Sequence, residues 1–158
     1  MANPTGFSET NVHEIADGIF RIGTPVELGE GFSFNQYLIV DEQPLLFHTG
    51  LRRLFPQIRE AVATVMPIEN LRYFAFSHFE SDECGALNDW LAVAPHASPV
   101  CSRVAAMVSI NDFADREPIV VADADELSLG RHSLKWLDTP HLPHAWDTGY
   151  FMETRTRT

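Results

Sequence analysis

A dense group of potential metal ligands stands between a strand-like and a helix-like stretch of the sequence. The group falls within six positions and consists of His78, Glu80, Asp82 and Glu83. An apolar run at residues 71–76 precedes it and predicts a buried strand, and apolar residues at helical spacing follow it to about Ala94. A strand, a polar turn and a helix in this order present side chains rigidly at the end of a sheet.

The spacing of these residues indicates which of them can converge. His78, Glu80 and Asp82 alternate along the chain, and alternate residues of an extended backbone point to the same side. Glu83 would then face a neighbouring point, so the pattern suits two metal ions rather than one. The alternative is a polar strand end at which Ser81 or Asp82 caps the following helix.

A second candidate region lies at residues 138–147, where two histidines occupy a proline-stiffened turn after a predicted strand. Either His141 or His144 could complete a first metal site beside His78 and Glu80, or both could be solvated turn residues. His48 ends a predicted strand and is expected to lean toward the site without binding the metal. No catalytic residue separate from the metal ligands is predicted, and the remaining histidines are interpreted as structural: His13, His96 and His132.

The rest of the pattern predicts an α/β layered domain with a mixed sheet. Asp17–Gly18 between two alternating stretches indicates a hairpin. Antiparallel strands are expected first, and then strands that alternate with helices. We expect residues 1–158 to form one domain, truncated because the last strand, at residues 149–154, lacks a following partner. Such an exposed strand favours edge-to-edge pairing, so a homodimer is predicted.

Composition limits the partners and the compartment. The net charge of −11 argues against binding to nucleic acid or to anionic membrane surfaces. No signal peptide is visible, and no apolar stretch approaches the roughly 20 residues of a membrane helix. We therefore predict a cytoplasmic protein in which Cys84 and Cys101 are reduced thiols.

The ligand-rich turn resembles a motif of the metallo-β-lactamase superfamily, in its diiron branch. Residues 78–83 resemble the His-x-Glu-x-Asp-His pattern of flavodiiron proteins and of stand-alone oxygen-binding diiron proteins. Thr49–Gly50 resembles the Asp-Thr-Gly strand end of that family, with His48 in place of the aspartate. Residues 140–147 resemble the loop that carries the next histidine ligand. The resemblance implies the αββα layered fold, mostly its N-terminal half.

The resemblance also implies a ligand set of two iron ions. His78, Glu80 and the loop histidine would hold one iron, and Asp82 with the residue at position 83 would hold the other. His144 fits the spacing of the family loop better than His141. Glu83 departs from the family pattern, which has a histidine at that position. The bridging aspartate and the last histidine of the family come later than the end of this sequence.

Glu80 favours iron over zinc, because hydrolytic zinc sites of the superfamily have histidine at that position. A mixture of carboxylate and imidazole ligands suits iron or manganese. The function implied is a non-haem diiron domain, an oxidoreductase if it is an enzyme, that binds or reduces dioxygen or nitric oxide. No flavodoxin-like segment is visible, so electrons would come from a separate donor protein, which favours oxygen binding or sensing. The alternatives are a dinuclear zinc hydrolase and a metal-free truncated interaction domain.

Overall fold

The fold consists of two β-sheets with helices packed against the larger one. The computed structural model describes residues 6–27 and 31–158. The larger sheet contains, in spatial and chain order, β1 (Asn11–Ala16), β2 (Ile19–Pro25), β3 (Ser33–Ile39), β4 (Leu45–Phe47), β5 (Tyr73–Ala75), β6 (Ser98–Ser102) and β7 (Ile119–Val121). The smaller sheet has the order β10 (Gly149–Glu153), β9 (Ser133–Asp138) and β8 (Glu126–Ser128).

The first half of the larger sheet is antiparallel. Strands β1 to β4 pair in sequence, and β1 meets β2 across the predicted hairpin. Gly18 has a φ of +70°, which glycine adopts without the strain imposed by a side chain. Its carbonyl oxygen accepts a hydrogen bond of 2.8 Å from Val40 N, which ties the hairpin to the end of β3. The sequence prediction of a hairpin at Asp17–Gly18 is therefore confirmed.

The second half of the sheet is parallel, and helical segments connect its strands. Strands β4, β5, β6 and β7 pair in parallel, so the carboxyl ends of these strands meet at one edge of the sheet. The helices are α1 (Phe55–Ala63), α2 (Ser81–Cys84), α3 (Leu87–Val93), α4 (Arg103–Ala105), a π-helical turn (Ala106–Ile110) and α5 (Asn111–Phe113). Within residues 6–27 and 31–158, no helix combines the length and the apolar character needed to cross a bilayer.

Two apolar clusters occupy the two faces of the larger sheet. Neighbouring residues of one strand fall into different clusters: Leu46 and Phe74 face the helices, whereas Leu45 and Ala75 face the smaller sheet. This alternation is the period of two expected for a strand that is buried on both faces. Trp136 of β9 is fully buried in the cluster between the sheets. The predicted α/β layering with a mixed sheet is therefore confirmed.

The helix predicted after the ligand turn is broken into α2 and α3. The break falls at Gly85 and Ala86, because the Ala86 amide donates to the carbonyl of Gly50 (2.9 Å) rather than to the preceding helical turn. A side chain on Gly85 would bring its Cβ within 2.4 Å of the Ser81 carbonyl oxygen, so only glycine fits there. A partner 36 positions away ends α2, and local periodicity does not reveal it.

The last strand also ends earlier than predicted. β10 stops at Glu153, whose carboxylate accepts hydrogen bonds from Arg155 N (3.2 Å), Thr156 N (2.6 Å) and Thr156 Oγ1 (2.5 Å). These bonds turn the backbone back, and Glu153 N donates to the carbonyl of Thr158. β10 is nevertheless an edge strand of the smaller sheet, and pairing with a second copy there stays a prediction.

Candidate metal centre

The predicted ligands lie at the edge of the larger sheet where its parallel strands end. β5 leads directly into Ser77 and His78, and both residues are buried. Glu80 has an extended backbone conformation and stands immediately before α2. Its side chain is 53% exposed, so the strand end carries one buried imidazole and one accessible carboxylate.

Two imidazoles converge on the carboxylate of Glu80. Its Oε2 lies 2.8 Å from Nε2 of His78 and 3.0 Å from Nε2 of His144. The two histidine rings are nearly perpendicular, with centroids 4.7 Å apart. One ligand atom from each of these residues lies within 4.8 Å of the others, and this is the one such group of three among the residues described. We call these three residues the triad.

The charge of Glu80 follows from the two imidazoles. The hydrogen bond from His144, followed by that from His78, lowers the pKa of the Glu80 carboxyl below its usual value and outweighs the opposing effect of burial. The carboxylate is therefore anionic at neutral pH. An anionic oxygen beside two imidazole nitrogens is a donor set for a divalent or trivalent cation.

Asp147 anchors the loop that carries His144. This aspartate is buried, and its Oδ2 accepts a hydrogen bond of 2.9 Å from the backbone N–H of Phe79. Its carbonyl oxygen accepts from the hydroxyl of Ser102 at 3.1 Å. The amide of Gly149 then donates to the carbonyl of Ser77 (2.9 Å). These bonds fasten the loop to the ends of β5 and β6 and set His144 opposite His78.

The two loop histidines occupy different positions. His144 contacts Glu80, whereas His141 is exposed and does not join the triad. His141 has a φ of 64°, and its amide donates to the carbonyl of Ala145 at 2.7 Å, which closes the turn. Of the two loop histidines, His144 is thus the one that lies against Glu80, and its role as a ligand stays a prediction.

Asp82 and Glu83, the predicted ligands of a second ion, do not lie together with the triad. Asp82 is half-buried in the first turn of α2. Glu83 turns its carboxylate toward the end of β4, where Oε2 contacts Nε2 of His48. His48 itself has a φ of 65°, and its Nε2 lies 3.3 Å from the hydroxyl of Ser77, the neighbour of His78.

Two residues beside the site received no role in the sequence interpretation. Ser77 Oγ lies 3.0 Å from Nδ1 of His78, on the side of the ring opposite Glu80. Asp147 holds the histidine loop as described. The sequence offers only their adjacency to His78 and His144 as a signal, because which way a side chain faces depends on strand register and on contacts distant in the chain.

The other histidines and the cysteines stand apart from the triad. His132 is buried and its Nδ1 lies 2.7 Å from Oδ2 of Asp41, while His13 and His96 are exposed. Burial raises the pKa of the Cys84 and Cys101 thiols to about 12. Both are free and protonated, and Cys84 donates to the Glu80 carbonyl at 3.3 Å rather than serving as a soft ligand.

The triad fits one iron ion. Two imidazoles and one carboxylate, with further positions open, form the ligand set that proteins use for non-haem ferrous iron. The buried His78 and the exposed edges of Glu80 and His144 leave one side of such an ion accessible. Neither Asp82, in the first turn of α2, nor Glu83, which contacts His48, belongs to this ligand group.

Known proteins with similar sequences include flavoproteins and nitric oxide reductases. Diflavin flavoprotein A 1 of Thermosynechococcus vestitus is 30% identical over 142 residues, which are 87% of this chain and 24% of that protein. The nitric oxide reductase of Moorella thermoacetica is 27% identical over 144 residues, which are 81% of this chain and 35% of that protein. The chain thus spans between about a quarter and a third of these relatives.

Solved structures with the same fold include flavodiiron proteins. Rubredoxin:oxygen oxidoreductase of Desulfovibrio gigas superposes with a TM-score of 0.81 at 24% identity, over 90% of this chain and 38% of that chain. The flavodiiron protein of Giardia intestinalis has a TM-score of 0.78 at 21% identity, over 90% of this chain and 37% of that chain. These likenesses establish the fold.

The family assignment rests on most of the length of the chain. The sequence profile of the ODP family beta lactamase domain matches residues 32–157, which include β3 to β10 and every residue of the triad. The chain therefore belongs to the ODP family, in the diiron branch of the metallo-β-lactamase superfamily that includes the flavodiiron proteins.

Proposed function

We propose that this chain is a non-haem diiron domain that binds dioxygen or nitric oxide and acts in oxygen binding or sensing. The observation that carries the proposal is the convergence of His78, Glu80 and His144 in a two-histidine, one-carboxylate arrangement. Nitric oxide reductase and rubredoxin:oxygen oxidoreductase, the names of two similar proteins, support a diatomic ligand.

Each residue has a separate part in this proposal. His78, Glu80 and His144 hold the first iron, and Asp82 faces the second. The bound iron supplies coordination of the diatomic. The Glu80 carboxylate would offset part of the positive charge of the iron. The His78 ring is buried and has little freedom to move, so it would bind the iron from one fixed direction.

A cleft beside Glu80 gives a small ligand access to the triad. A cleft of about 670 Å³ opens beside it, and its lining combines the apolar side chains of Leu51, Phe79 and Phe113 with the arginines at positions 52 and 53. Phe79 and Phe113 stack edge to face, with ring centroids 5.2 Å apart. The apolar part of this lining leaves room for dioxygen to approach the triad.

The proposal favours binding of dioxygen over its rapid reduction, because the two cysteine thiols of the chain are poor electron donors. Reduction of dioxygen consumes electrons, and the two thiols are buried and protonated, so they are poor donors. Turnover would therefore draw electrons from a donor other than these thiols. A ligand-binding or sensing role has no such requirement.

Metal content after aerobic purification tests the proposal. We expect iron in the wild-type protein, and we expect Glu80→Gln to lose it, because the amide keeps the shape of the side chain but removes the anionic donor. Glu69→Gln is the matched control, since Glu69 is an exposed acid away from the triad. Stoichiometric zinc without iron would instead favour hydrolysis by a dinuclear zinc centre, the function of other members of the superfamily.

A further inference from the structure

A line of contacting side chains runs from α2 to the triad along the ends of β4 and β5. The carboxylate of Glu83 contacts Nε2 of His48, and that nitrogen lies 3.3 Å from Ser77 Oγ. Ser77 Oγ lies 3.0 Å from Nδ1 of His78, and Nε2 of His78 lies 2.8 Å from Glu80. The line therefore connects the interior of the protein to the triad through His78.

The orientation of Glu83 separates it from the triad. Its side chain is 17% exposed, and its buried Oε2 lies against Nε2 of His48 as an ion-pair contact, although it accepts no well-directed hydrogen bond from any residue described. The backbone of Glu83 faces the same way, because its carbonyl oxygen accepts from the amide of Thr49 at 2.7 Å. The side-chain carboxylate and the backbone carbonyl of Glu83 thus both face the end of β4.

Ser77 connects this pair to His78. The hydroxyl oxygen can accept the Nδ1–H of the tautomer whose Nε2 lone pair is free for a metal. Nε2 of His48 lies within hydrogen-bond distance of the Ser77 hydroxyl, and the Glu83 carboxylate lies against the same nitrogen. Each member therefore restrains the next.

His48 and Glu83 are two residues at which this chain departs from the family pattern. The resemblance places an aspartate at position 48 and a histidine at position 83, whereas this chain has the imidazole at 48 and the carboxylate at 83. The structure brings these two residues into contact. The carboxylate–imidazole contact gives Glu83 a partner other than a metal.

We propose that Glu83 is a positioning residue that acts through His48 and Ser77 to hold the ring of His78 in its metal-binding orientation, and that it does not bind a metal. The inference deepens the proposed iron centre and rests on it for its metal-bound consequences. Its consequence in the metal-free protein, the fixed orientation of the His78 ring, does not depend on iron.

Anaerobic titration with ferrous iron, read out by metal content, separates a positioning residue from a ligand. We expect Glu83→Gln to bind as many iron ions per chain as the wild type, with an affinity weakened by roughly 10- to 100-fold, the usual effect of losing an outer partner of a ligating histidine. Ser77→Ala should weaken binding by a similar factor without removing a charge. The matched control is Glu60→Gln, a change of an exposed glutamate on α1. Loss of one iron ion per chain in Glu83→Gln would overturn the proposal.

Histidine-ring nitrogen NMR of the metal-free protein provides the second readout. Glu83→Gln and Ser77→Ala should both shift the Nδ1 signal of His78, while circular dichroism confirms that the fold is retained. Unchanged His78 signals in both variants would overturn the inference, whether or not iron binds. Failure of the wild type to bind iron, together with shifted His78 signals, would overturn the proposed function and leave the positioning role supported.

Discussion

Two imidazole–carboxylate contacts in this molecule use the same chemical groups for opposite purposes. Asp41 and His132 form a closed pair in which both side chains are at most 2% exposed. The triad is open, because the side chains of Glu80 and His144 are 53% and 62% exposed. The comparison shows that free coordination positions, rather than residue type, distinguish a metal centre from a structural contact.

The closed pair has no donor or acceptor left for a ligand. The Asp41 carboxylate accepts from the backbone N–H of His132 at 2.7 Å, and Nδ1 of the His132 ring lies 2.7 Å from the same oxygen. Nε2 of His132 lies 2.9 Å from the carbonyl oxygen of Asp17. The pair therefore joins the β1–β2 hairpin, the end of β3 and the β8–β9 turn, and its function is to hold the two sheets together.

Breaking the closed pair should have the largest effect on stability. Asp41→Ala leaves a buried imidazole without its partner, and removal of one member of a buried pair costs about 3–5 kcal/mol. We expect a loss of that size in the free energy of unfolding, measured by urea denaturation. The folded fraction should still bind iron. A change within about 0.5 kcal/mol, as expected for a surface site, would show that the pair is not structural.

Acid should weaken the closed pair in a defined range of pH. Burial raises the pKa of Asp41, but hydrogen bonds from the His132 and Glu42 amides and from the His132 ring outweigh it and lower this pKa from 3.8 to about 2. The stabilisation is therefore complete above pH 3.8 and is lost as the pH falls toward about 2. The difference in unfolding free energy between wild type and Asp41→Ala should shrink over that range. A difference that grows toward acid pH would contradict this assignment.

Substitution of a triad histidine should affect iron binding more than stability. His144→Ala removes one of two imidazole donors, and we expect ferrous-iron affinity to fall at least as far as after loss of an outer partner, by about 100-fold. His141→Ala is the matched control from the same loop and should bind iron as the wild type does. Equal losses in the two variants would mean that the loop, rather than His144, is what iron binding requires.

The smallest expected effect is that of Glu80 on folding. Glu80→Ala removes a carboxylate that is about half exposed, and exposed ion pairs contribute at most about 1 kcal/mol. The free energy of unfolding should therefore change by less than about 1 kcal/mol while iron binding is lost. A destabilisation as large as that of Asp41→Ala would show that Glu80, like Asp41, serves the stability of the fold, and would contradict the distinction between the open and closed contacts.

The sequence predicted local features well and long-range partners poorly. The strand, the ligand turn and the Asp17–Gly18 hairpin depend on neighbouring residues, so periodicity and turn chemistry were sufficient. The pairing of His132 with Asp41 joins positions 91 apart and carries no local signal. The contact between Glu83 and His48 was hidden for the same reason. From the sequence alone, the Glu83 carboxylate could face either the predicted metal site or the end of β4.

The loop histidine depends on both local and long-range features of the sequence. Spacing favoured His144 over His141, and the structure places His144 against Glu80. The reason for that placement is the buried Asp147, which bonds to the backbone of Phe79, 68 positions away. The sequence could therefore suggest the ligand but not the contact that positions it.

The most direct test of the proposed function is the response of the ferrous protein to dioxygen. Protein loaded anaerobically with ferrous iron should develop a new absorption band when oxygen is admitted, and the band should disappear when oxygen is removed. His144→Ala should give no band, and His141→Ala should behave as the wild type. An iron-loaded wild-type protein whose spectrum is unchanged by oxygen would contradict the proposal that the triad is an oxygen-binding site.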